Sequence, residues 1–248
     1  TAELTLPGFR HDICSAIHPL GLGSPFMRSL PLERLGVEWI QPDLPLAHPL
    51  DDGTAVGLYR SVAETAASIG RDGGAWRALL APLAADWEKL APTLLGPHPF
   101  SPHLIALARF GIPGLLPANL MPRLIFREER ARALFAGLAA HSFLDFGKIF
   151  SSSFGLVLGM LGHAVGWPIP KGGSQSIVDG MAAYLRELGG EIVCGWEVET
   201  LDELPKSRAI LLDVTPRQLL KLAGEKLPAS YRRRLQGYRY GPGVFKID

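Results

Sequence analysis

A chain of 248 residues is long enough to bury a sizeable core, as one large or two small domains. Its formal charge of +1, from scattered and mutually matched basic and acidic residues, gives no electrostatic case for a nucleic-acid partner. The two cysteines, Cys14 and Cys194, lie far apart without CxxC spacing, so neither a disulfide framework nor a zinc site is indicated and a reducing cytoplasm fits. The first residues carry no charged stretch ahead of an apolar core, so no secretory signal is read there.

In chain order, the part up to Tyr59 reads as strand-rich, with candidates at 37–40, 44–49 and 54–58 and a hairpin turn at Asp52 and Gly53. From Ser61 to about His141 the apolar residues recur at helical spacing, including Trp76, Leu79, Leu80, Leu83, Trp87 and Leu90. Prolines are expected to break these helices. The apolar, proline-punctuated segment 112–122 reads as a loop packed on a cavity, with a lipid-facing lip as the alternative. Residues 149–170 form the longest uncharged stretch and have about the length of a membrane span. Three serines, several glycines and His163 dilute its hydrophobicity, and Gly166 and Pro168 interrupt it, so a buried helix is expected instead.

Residues 166–198, GWPIPKGGSQSIVDGMAAYLRELGGEIVCGWEV, pack a loop, a helix and a strand-like run into one unit. Lys171, Gly172 and Gly173 predict a loop with positive φ and close backbone approach to a ligand, and Ser174 has an oxygen suited to cap the next helix. Ile177, Met181, Leu185 and Leu188 recur at steps of three and four, which predicts one buried face on a helix stopped by Gly189 and Gly190. Strands are expected at 191–194 and, buried and parallel, at 209–214, the second followed by a helix capped at Thr215. Arg232, Arg233 and Arg234 read as a solvated helix face, and no internal repeat stands out.

The residues encode little self-contained catalysis. Of seven histidines, His98 and His103 flank prolines, and none forms HExxH or another ligand pair with metal spacing, so no metal is expected. SSSFG at 151–155 is not the GxSxG of a hydrolase nucleophile turn. Asp145 and Lys148 are spaced for a modest ion pair. No catalytic residue is assigned.

Three segments in the same order resemble the phytoene dehydrogenase-like FAD-dependent oxidoreductases, relatives of the amine oxidases. They are PGF, two residues and Asp12 near the start; PxGG, an amphipathic helix, GGxI and a later Val; and a β-branched run closing on Thr215 and Pro216. The resemblance implies an α/β, mixed α+β protein: a partial FAD/NAD(P)-binding Rossmann-like domain with a largely helical substrate-domain insertion. It implies residues 1–60 shared by the cofactor and substrate lobes, 61–166 as the insertion, 167–225 in the FAD domain and 226–248 returning to the substrate domain. It places Cys14, Ser15, Pro170, Gly172, Gly173, Val198, Thr215 and Pro216 near FAD, and His18 and His163 near a hydrophobic, isoprenoid-like substrate. It departs from the family in lacking GxGxxG after a strand and the acidic residue beyond it, and in stopping at FKID. An internal fragment with weak or no FAD affinity of its own is therefore expected. Hydride transfer to flavin suits a chain without an acid and base pair, because the cofactor carries that chemistry. The alternative is a non-redox binding or interaction module on a flavoprotein-like fold. Peripheral membrane contact and self-association through unpaired sheet edges complete the expectations.

Overall fold

The computed structural model describes residues 1–97 and 100–247, so His98 lies outside the described residues. The chain divides into two units, Thr1–Gly189 with the residues from Phe245, and Gly190–Val244. Helix accounts for 48% and small sheets for 7%, which makes the class mixed α+β.

In the first unit the strands are short and pair in antiparallel couples. β1 (Ala2–Glu3) pairs with β2 (Arg10–His11), β3 (Trp39–Ile40) with β6 (Ile169–Pro170), and β4 (Leu46–Pro49) with β5 (Ala55–Leu58). The expected turn joins β4 to β5: Gly53 takes φ +78°, and Asp52 Oδ1 accepts the Thr54 N–H at 2.9 Å. No parallel strand pair occurs among the described residues.

The body is helical, as the spacing predicts. α1 (Pro19–Gly23) and α2 (Pro25–Ser29) precede the hairpin, and α3 (Val62–Ile69), α4 (Gly73–Ala85) and α5 (Trp87–Leu95) follow it. Then come α6 (Leu104–Gly114), α7 (Met121–Ile125), α8 (Glu129–Ala140), α9 (Ser151–Ala164) and α10 (Gln175–Glu187). Trp76, Leu80 and Leu83 of α4, with Trp87 and Leu90 of α5, are fully buried in the main core. The prolines mark some breaks and not others: Pro97, Pro102 and Pro117 lie between helices, whereas Pro82, Pro92 and Pro113 lie inside α4, α5 and α6. These three sit in the last turn or so of their helices, so the bend each imposes falls near the helix end.

The uncharged stretch forms α9, buried through Leu156, Met160 and Leu161, and among the described residues no helix is long and apolar enough to cross a membrane. Its glycines set how closely neighbours approach. A Cβ on Gly155 would stand 2.7 Å from Phe135 Cζ of α8, and one on Gly159 would stand 2.8 Å from Leu80 Cδ1 of α4. In the segment 112–122, which runs from the end of α6 into α7, Ala118 and Met121 are buried in the main core, whereas Ile112, Leu115 and Leu120 are exposed. Asp145 lies in the loop before α9 and accepts the Gly147 N–H at 2.6 Å, closing a turn within its own loop.

The face expected on α10 is only partly buried. Ile177 and Gly180 pack on Leu32 and Val37, but Met181, Leu185 and Leu188 are exposed, because this small secondary core reaches only the first turns of the helix.

The second unit holds α11 (Pro216–Ala223) and α12 (Ala229–Gln236). Residues 191–194 and 209–214 are not strands, correcting the expectation. A strand's N–H and C=O groups need a neighbouring strand, and neither segment has one in its unit; Val193 and Leu211 are exposed. The helix at Thr215 forms as expected, and Arg233 and Arg234 lie exposed on α12.

Candidate functional site

The chemistry-bearing residues of the first unit converge on the turn between β6 and α10. β3 holds Ile169 and Pro170, the Lys171 N–H donates to Glu38 O at 2.9 Å, and the His18 N–H donates to Pro168 O at 2.9 Å. The Gly173 N–H then closes the turn on Pro170 O at 3.0 Å, with Gly172 at φ +82° and Gly173 at φ +97°. Glycine is required twice over at 173, since a Cβ there would also stand 2.6 Å from Thr1 Cγ2. At Gly172 a Cβ would meet nothing within 4 Å, so this backbone is open to a ligand.

The first N–H groups of α10 need acceptors, and the N-terminal segment supplies them. The Ser174 N–H meets both Asp12 carboxylate oxygens at 2.9 and 3.0 Å, and the Gln175 N–H donates to Thr1 Oγ1 at 3.0 Å. Asp12 also accepts a short hydrogen bond from the Thr1 hydroxyl. Burial pushes the Asp12 carboxyl up, but the bonds from Thr1 and Ser174 outweigh it and hold the group below its usual range. An anion at a helix N-terminus is well placed. The expected capping role of the Ser174 hydroxyl is therefore corrected: Asp12 occupies that position, and Ser174 is free to turn elsewhere.

Ser174 Oγ donates to Ser15 O at 2.6 Å and lies 2.8 Å from His18 Nε2. A hydroxyl has one proton, so with that proton on Ser15 O the His18 Nε2 donates to Ser174. Burial lowers the His18 pKa, the charge of Asp12 and the Ser15 backbone only partly opposing it, and the ring is neutral at pH 7. This is not a nucleophile facing its base, because the histidine nitrogen that would take the proton already carries one.

The pair sits at the polar end of a cavity of about 630 Å³. Leu20, Phe26, Met27, Leu95, Ile177 and Val178 form its apolar walls. Across the turn, a polar cavity of about 440 Å³ is bounded by Glu3, Arg10, Lys171, Gly172 and Asp179. Among the described residues no group of three or more histidine, cysteine, aspartate or glutamate side chains is placed to hold a metal.

Ser15, His18, Pro170, Gly172 and Gly173 are thus brought together around one turn. Cys14 is exposed beside them and lines neither cavity. Val198, Thr215 and Pro216 belong to the second unit, where Thr215 and Gln218 form a reciprocal cap on α11 and Pro216 opens that helix. His163 lies apart from the cavity. It is buried in the helical body, its Nε2 accepting the Trp76 indole N–H at 3.0 Å and its Nδ1 lying 3.2 Å from Arg60 O, so its ring is satisfied within the core. Sequence reasoning missed Asp12 as the cap and Ser174 as the partner of His18, contacts between residues more than 150 positions apart. The walls from α1 and α2 had a signal in Pro19 and Pro25 at the helix starts and Ser24 capping the second, which the strand-rich reading of this part passes over.

No protein-family model matches the chain, and no curated protein and no solved structure shows significant similarity to it.

Proposed function

We propose that this chain is part of an FAD-dependent oxidoreductase that oxidises or desaturates a hydrophobic small molecule. One observation carries the reading: the two segments that resemble this class, 12–15 and 170–174, meet in space, with the Asp12 carboxylate on the Ser174 N–H. The open backbone at Gly172 and the apolar cavity beside the turn support it further.

The residues present fit one edge of a flavin and not the whole dinucleotide. The glycine turn offers close backbone approach, while the chain carries no GxGxxG to hold a pyrophosphate, so this polypeptide alone binds FAD weakly or not at all. When bound, flavin supplies the hydride acceptor. This chain's part is to hold the substrate along Leu20, Phe26, Met27 and Val178, to orient it by Ser174 and His18, and to exclude water from it. The Rossmann-like sheet of the reading, its FAD contacts at Val198, Thr215 and Pro216, its cytoplasmic location and its peripheral membrane contact through exposed Ile112 and Leu115 belong to the same proposal.

The test is the absorbance spectrum of the native gene product, purified from its own start codon to its own stop and titrated with FAD. A yellow protein retaining stoichiometric flavin is expected. A colourless protein that takes up no FAD would overturn the redox reading in favour of a binding module.

A further inference from the structure

We propose that the cavity beside His18 binds an elongated, uncharged apolar molecule with one alcohol group at its end, the alcohol seated on Ser174. The proposal deepens the reading above and rests on it only for calling the bound molecule a substrate; binding itself needs no flavin.

The cavity has the size of a small-molecule site and is apolar except where Ser15, His18, Ser24 and Ser174 line it. Its walls include exposed apolar side chains, with Leu20 at 40%, Phe26 at 63% and Val178 at 56% exposure, which a ligand would cover. A second trough of about 560 Å³ has Ser24, Phe26 and Leu95 in common with the first as lining residues and runs along Pro92, Phe100 and Pro102, with Glu88, Lys89 and His103 also lining it. A long chain can lie along the first trough and reach over Phe26 toward its neighbour, which a compact ring system cannot.

The polar end selects the head group. No lysine, arginine, aspartate or glutamate lines the first cavity, so a charged head would be desolvated without a partner. Behind the turn, Asp12 is bonded to the Ser174 N–H and lies 3.8 Å from the Thr1 ammonium, so the charges there offset one another. Asp12 is also already engaged by Ser174 and Thr1, so an ammonium head would compete for occupied oxygens. Among neutral heads the protons decide. The Ser174 proton goes to Ser15 O and the His18 Nε2 proton goes to Ser174, which leaves Ser174 an acceptor lone pair and no free proton, beside the Ser15 and Ser24 hydroxyls that also line the cavity. An alcohol can donate to that lone pair as well as accept from the neighbouring hydroxyls, whereas a carbonyl can only accept. A site built for a donor rejects the analogue that lacks one, because its own acceptor is then left unpaired.

Isothermal titration of the full chain with decan-1-ol, decanal and decanoate tests this. Decan-1-ol should bind, about tenfold or more tighter than either of the others, a difference of roughly 1.4 kcal/mol. Val178→Trp, on the exposed face of α10, should fill the cavity and abolish binding, and Leu20→Trp should do the same from the opposite wall. Ser174→Ala should bring the alcohol down to the level of the aldehyde. No binding of decan-1-ol, decanoate binding as tightly as the alcohol, or binding that survives both tryptophan variants in folded protein would each overturn the proposal. A failure of flavin binding leaves these outcomes unaffected.

Discussion

The helical body of the first unit and the segment 190–214 of the second both carry runs of large apolar side chains, yet one is packed and the other is not. In α4, α8 and α9, Leu80, Leu134 and Leu156 are fully buried, while Ile192, Val193, Ile210 and Leu211 are exposed. The difference lies in where each element finds its hydrogen bonds. A helix satisfies its backbone from its own sequence and needs neighbours only to cover its apolar face. A strand satisfies its backbone only from another strand, so a β-branched run without a partner stays irregular however strong its propensity.

That contrast is broken most directly by deleting side chains on each side of it. Leu80→Ala should cost about 2–5 kcal/mol of unfolding free energy in urea, because it removes transfer energy and leaves a cavity beside Gly159. Leu211→Ala should stay within about 0.5 kcal/mol in the same assay, and an equal loss at both positions would erase the distinction.

Acid should act next, and on the body. Burial lowers the His163 pKa below the ordinary 6.5, bonds from the Arg60 and Tyr59 backbone only partly opposing it, so below about pH 6.5 the unfolded state takes up the proton before the folded one. The stability that neutral His163 contributes is therefore complete above that pH and is lost as pH falls toward its folded value. Melting curves should shift down between about pH 7 and pH 5, and His163→Gln, which keeps a donor and an acceptor, should flatten that slope. A wild-type midpoint unchanged over this range would mean that the ring is not buried neutral.

The smallest effect concerns the joint between the N-terminal segment and α10. Asp12→Asn removes the anion from the helix N-terminus and should cost about 1 kcal/mol, read by chemical denaturation, while Asp52→Asn, an exposed turn carboxylate of the same type, serves as the control that should change less.

Much of the body was legible beforehand because helical periodicity is a local signal. Trp76, Leu80, Leu83 and Leu90 declared their helices, Asp52 and Gly53 their turn, and Gly172 and Gly173 their positive φ. Legibility failed where the deciding contact was remote. Nothing near residues 191–194 or 209–214 announces that no partner strand adjoins them, and nothing near Ser174 announces that Asp12 takes over its cap. Nor does nearness in sequence to the glycine turn announce that a 14-residue helix carries His163 into the core.

The glycines of α9 make the body's volume a shared quantity. Since the Phe135 ring occupies the space a side chain at 155 would need, and Leu80 the space at 159, neither helix can change size alone. Enlarging α9 at 155 is tolerable only with a smaller residue at 135, and enlarging it at 159 only with a smaller one at 80. These positions are free to vary as couples and fixed as individuals.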